Sequence, residues 1–94
     1  MECTTIITSF HALKRMSQRA ISAEVILEVV RNGEVIKDYT DDKPYPSKLL
    51  YLSIAGRPIH AVIGKNEETG ECVVITVYEA NEETWDDSFK TKKK

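Results

Sequence analysis

The side chains best able to do chemistry in this chain are His60, Tyr51, Tyr78, Ser53 and Thr76, with Arg57 three positions before the histidine. Histidine exchanges protons near neutral pH, and arginine can stabilise the crowded negative charge of a phosphate during transfer. A histidine, two phenols, two hydroxyls and a guanidinium therefore read as metal-independent acid–base chemistry, with no cofactor implied. The competing reading is that Tyr51, His60 and Tyr78 are polar-ended residues on a half-exposed antiparallel sheet, where apolar and polar side chains alternate as a rule. A second group, His11, Arg15 and Arg19 with Lys14 beside them, makes a cationic stripe at helical spacing. It could hold an RNA backbone, or be a solvated helix face neutralised by Asp41-Asp42 or Glu79.

The elements that must position these residues follow from changes in period. Ser9 caps a helix over Phe10 to Arg19, with Leu13, Met16 and Ala20 on its dry side. Ile21-Ser22 makes a corner, Ser22 caps a second helix that buries Val25, Ile26, Val29 and Val30, and Asn32-Gly33 closes it with a left-handed glycine. Beyond Gly33 the period becomes alternating and predicts four strands, residues 34–40, 47–54, 59–64 and 72–78. Their short connections favour antiparallel pairing of sequence neighbours. The expected fold is α+β: two N-terminal helices packed on one face of a four-stranded antiparallel β-meander.

Register can be carried one step further. With AGRP (residues 55–58) as the loop of one hairpin, Ile54 opposes Ile59, Leu52 opposes Ala61, and Ser53 opposes His60. If the loop ending at Gly70 has three or five residues, His60 shares a face with Thr76 and Tyr78; a four-residue loop breaks that parity. The apolar face for the helices then holds Leu50, Leu52, Ile54, Ile59, Ala61, Ile63, Val73, Ile75 and Val77. The opposite face carries Leu49, Tyr51, Ser53, His60, Val62, Thr76 and Tyr78.

A chain of 94 residues suits one domain, assigned to residues 1–89, with 90–94 a loose basic tail. No apolar run is long enough to span a bilayer and the start lacks a basic-then-apolar leader, so a soluble cytoplasmic protein is expected. Cys3 and Cys72 show no zinc spacing or disulfide framework and are expected to be reduced thiols. The net charge of −2 speaks against nucleic-acid binding through bulk electrostatics, and no contact with DNA is predicted. Asp38, Asp41 and Asp42 lack the positions of a calcium loop and suit turns. Trp85, in an acidic stretch, reads as an anchor for the C-terminal segment on the sheet. No Gly-rich phosphate loop, Ser-His-Asp pattern or nucleophile elbow is present.

The stretches SFHALKRMSQRAIS (9–22), NGEVIKDY (32–39), KPYPSKLL (43–50), GRPIH (56–60) and TVYE (76–79), followed by Trp85, resemble the small bacterial domain-of-unknown-function family numbered 4258. Ala20 and Ala80 stand where the resemblance leads one to expect Gly and Pro. That family is in turn similar to RelE/ParE-type toxins of bacterial toxin–antitoxin pairs, which include metal-independent mRNA endoribonucleases. The resemblance implies Arg57 at the scissile phosphate, His60 as general acid or base, and Tyr78 assisting or stacking on a base. It further implies that Arg15 or Arg19 positions RNA, with RNA or the ribosome as target and an antitoxin as partner; with the helical stripe and the sheet face, the expected RNA contacts are His11, Arg15, Arg19 and Tyr51. The alternative is a non-catalytic protein-binding module that uses the Tyr51/Tyr78 face or a strand edge.

Overall fold

The computed structural model describes residues 1–93. Seven elements follow in order: β1 (Thr5–Thr8), α1 (Phe10–Arg19), α2 (Ala23–Asn32), β2 (Glu34–Tyr39), β3 (Ser47–Ile54), β4 (Arg57–Lys65) and β5 (Glu71–Glu79). The strands form one sheet in the order β1-β5-β4-β3-β2, with β1 parallel to β5 and the other pairs antiparallel. This corrects the expected four-stranded meander: the sheet is mixed and has five strands. The missed strand is TIIT, whose β-branched residues suit a strand. Its partner lies at the far end of the chain, where arguments from short loops do not reach.

Both helices begin as their caps dictate. The Ser9 hydroxyl accepts from the Ala12 N–H and that of Ser22 from the Val25 N–H. α1 ends with Ala20 left-handed (φ 53°), and the Ile21 N–H reaches back to the Met16 carbonyl, the hydrogen bond of a Schellman end. Gly33 closes α2 differently from expectation, with φ −67°. A side chain is excluded there by space, since a Cβ would strike the Val29 carbonyl oxygen and press on Leu50. α1 lies on β5 and α2 on β3 and β4. The dry side of α1 is centred on fully buried Ala12 with Met16 beside it, while Leu13 is 51% exposed. The small Ala12 lets the helix axis approach the sheet.

Between helices and sheet sits the main core, in which Leu50, Ile59, Ile63, Val74 and Val77 are fully buried. The β3–β4 turn is only Ala55-Gly56, both with positive φ, as a two-residue type I′ turn needs. Arg57-Pro58 thus start β4, and Tyr51, where Ser53 was expected, opposes His60. A shift of two residues preserves side-chain parity, so the faces assigned to β3 and β4 stand. In β5 they do not stand throughout. A bulge at Ile75 changes parity, so Val74 opposes Ile63 in the core, and Val73 and Ile75 turn to the other side.

Cys3 and Cys72 are disulfide-bonded, which corrects the expectation of reduced thiols. Parallel pairing of β1 with β5 sets Ile6 beside Cys72 and brings the preceding residues to it; nothing in a separation of 69 residues announces that. No helix among the described residues is long and apolar enough to cross a membrane.

Candidate functional site

The register sets Tyr51, His60 and Tyr78 side by side on three neighbouring strands, facing away from the helices. The imidazole stands edge-on to Tyr51 at 5.7 Å between ring centroids and tilted against Tyr78 at 5.2 Å. This row was expected to face solvent. Instead, residues 80–93 fold back across it.

The return begins at Ala80, whose N–H donates to the Pro58 carbonyl and prolongs the β4–β5 ladder by one bond. Proline at that position would forfeit the bond. Trp85 then stacks edge-on to His60 at 4.4 Å. With Leu49 and Ala80 it forms a second small core, packed by Ile36, Tyr39, Val62 and Phe89. Ile36 reaches it because β2 has a bulge there. The reading of Trp85 as an anchor agrees with this. The expected loose tail is partly bonded: Asp86 N–H donates to the Thr91 carbonyl, Lys93 N–H to the Thr84 carbonyl, and Lys90 pairs with Glu34 at 3.0 Å. Lys94 lies outside the described residues.

His60 is consequently 0% exposed. Its Nε2 lies 2.7 Å from the Phe89 carbonyl oxygen and its Nδ1 3.2 Å from the Tyr78 hydroxyl. A carbonyl can only accept, so Nε2 carries the proton and Nδ1 accepts from the Tyr78 O–H. Burial lowers the His60 pKa below the usual histidine value, opposed in part by the bond to Phe89. Burial also raises that of Tyr78, aided by the nearby Tyr39 phenol. Both nitrogens of a neutral imidazole are thus engaged, and neither reaches solvent.

The other residues expected at this site lie elsewhere. Arg57 is on the helix side of β4, where its Nε donates to Glu79 Oε1 at 2.6 Å. Its two terminal nitrogens donate to the carbonyls of Arg19 (2.9 Å) and Ala20 (3.1 Å). It caps the end of α1 and is separated from His60 by the sheet. Of the expected RNA contacts, His11, Arg15 and Arg19 lie on α1, whereas Tyr51 is on the far face. Phe89, whose carbonyl completes the enclosure, was not singled out; no side-chain signal marks a backbone acceptor. Asp42 accepts a hydrogen bond from the buried Ser47 hydroxyl, a turn-forming role.

The model of the family described as "Domain of unknown function (DUF4258)" matches residues 8–79. This chain belongs to that family. No curated protein and no solved structure is matched, so the comparisons lend no support to a likeness with RelE/ParE-type toxins. The DUF4258 match takes in Tyr51, His60 and Tyr78 and ends with β5. Trp85 and Phe89, which enclose His60, lie beyond it, as does Cys3.

Proposed function

We propose that this chain is a non-catalytic protein-binding module that receives an extended, acidic and apolar segment of a partner protein along the free edge of β1. The observation that carries the reading is the contrast between the two sheet edges. β2 is bulged and bears Glu34, Lys37 and Asp38, the devices that discourage strand addition. β1 has neither bulge nor charge; it is a short Thr-Ile-Ile-Thr strand. Ile7 (47% exposed) is on the strand itself, and Phe10 (85%) and Leu13 (51%) are exposed on α1, the element that follows β1. α1 adds His11, Lys14, Arg15 and Arg19 and no acid, so the complementary segment carries carboxylates between apolar residues.

The ribonuclease reading, with an antitoxin as partner, asks His60 and Arg57 to meet one phosphate. They lie on opposite faces, and His60 is enclosed. An antitoxin docked on β1 would satisfy the binding reading alone. The disulfide suits an oxidising compartment; cytoplasmic residence would require both thiols reduced.

Selection of displayed peptides on the purified protein tests the proposal. Acidic-apolar sequences should enrich and should lose binding to the Ile7→Pro and Phe10→Ser variants. Ile7→Pro removes an edge donor, and Phe10→Ser alters only an exposed ring. Enriched peptides indifferent to both variants, or RNA cleavage abolished by His60→Ala, would overturn it.

A further inference from the structure

The C-terminal segment does more than enclose His60, because between it and β2 it leaves a cavity of about 330 Å³. The floor and walls are Ile36, Leu49, Tyr39, Tyr78 and Trp85, and the rim carries Lys37, Lys90 and Lys92. Among the described residues no carboxylate lines it. The Lys37 ammonium lies 5.5 Å from the Tyr39 ring centre and that of Lys92 lies 5.9 Å from the Trp85 ring centre. Among the described residues neither makes an ion pair, whereas Lys90 is held by Glu34. Two cations free of acidic partners thus stand above two aromatic walls.

We infer that this cavity between β2 and the C-terminal segment binds a small planar anion, an aromatic ring bearing a phosphate and no larger than a nucleoside monophosphate. Each part of that description has its own reason. The volume is at the small end of ligand sites, which run from roughly 300 to 1,000 Å³. Aromatic walls favour a flat π-system by stacking. The ammonium groups of Lys37 and Lys92 each carry three donors and no acceptor, so they select an oxyanion. A ligand ring that slides between Tyr39 and Trp85 would exchange each cation–π contact for a stronger contact with the phosphate. The site is independent of the β1 edge and does not rest on partner binding there.

Trp85 is the sole tryptophan of the chain, so the protein reports on its own cavity. Adenosine monophosphate and 1-naphthyl phosphate should each change its fluorescence saturably and shift the amide resonances of β2. Lys37→Ala and Lys92→Ala should each weaken binding about tenfold, with circular dichroism and melting temperature unchanged because both side chains are exposed. Adenosine and inorganic phosphate, each lacking half of the recognised chemistry, should bind at least tenfold more weakly. The inference is overturned if neither aryl phosphate gives a saturable change by fluorescence or resonance shift. It is equally overturned if adenosine binds as well as its monophosphate, or if the two lysine variants bind as the parent does.

Discussion

The imidazole Nε2 of His60 donates to the carbonyl oxygen of Phe89 across 2.7 Å, joining the middle of the sheet to a residue ten positions beyond the last strand. Through it the charge state of one side chain and the placement of the C-terminal segment become a single question.

Stability should therefore depend on pH in a definite direction. The folded pKa of His60 lies below that of the unfolded chain, about 6.5. Below 6.5 the unfolded state binds the extra proton, so stability is complete above that value and declines as pH falls, until the folded pKa is passed. Urea midpoints between pH 8 and pH 5 should fall on the acid side, and His60→Leu should flatten the part of the slope near 6. An unchanged slope in that variant would assign the dependence to other groups.

Removing the Trp85 ring should cost about 3 kcal/mol, as for large aromatic truncations, and should also expose His60. Diethyl pyrocarbonate, followed by peptide mapping to distinguish His11, should modify His60 slowly in the parent and rapidly in Trp85→Ala. Equal rates would mean that the indole does not seal the site.

Two alanines sit where the backbone favours other residues. Ala20 (φ 53°) and Ala55 (φ 50°) are both left-handed, which costs a residue with a Cβ about 1 kcal/mol. Ala20→Gly should gain between roughly 0.5 and 1 kcal/mol after the entropy of the freer unfolded chain is subtracted. Ala55→Asn, creating the Asn-Gly pair preferred in a type I′ turn, should gain a similar amount. Each should raise the melting temperature by a few degrees, roughly 4–8 °C per kcal/mol at this size. A loss in either would contradict the backbone conformation described.

The Cys3–Cys72 bond closes a long loop, and the chain-entropy relation puts its contribution near 4 kcal/mol. Cys3→Ser, or reduction, should lower unfolding stability by about 2–4 kcal/mol. Thiol titration of the non-reduced protein in denaturant should find no free thiol.

How much of this was legible in the sequence depended on the range of each signal. Ser9 and Ser22 marked both helix starts, and the bounds of β3 were readable from alternation alone. The shared face of Tyr51 and His60 was also readable, because the error in the Ala55-Gly56 turn moved the register by an even number; Tyr78 joins them only because the bulge at Ile75 restores the parity that the even loop ending at Gly70 breaks. Ile75 was placed on the wrong side since a bulge is one residue of backbone freedom with no side-chain signature. β1 and the disulfide were missed for a common reason: both join the first residues to β5, and contacts at that separation leave no local pattern. Trp85 was rightly read as an anchor. What it covers was not foreseen, because a covered polar row and an exposed one have the same alternation.

The same disulfide sets the route of mechanical load. Tension applied at residues 1 and 93 passes from Met1 through Cys3 to Cys72 and onward along β5, bypassing residues 4–71. Those bypassed residues hold both helices and the other four strands. Under force, then, the C-terminal segment peels first and β5 is drawn next, while the rest of the chain stays slack inside its covalent ring. A pulled molecule would uncover His60 long before it lost its helices.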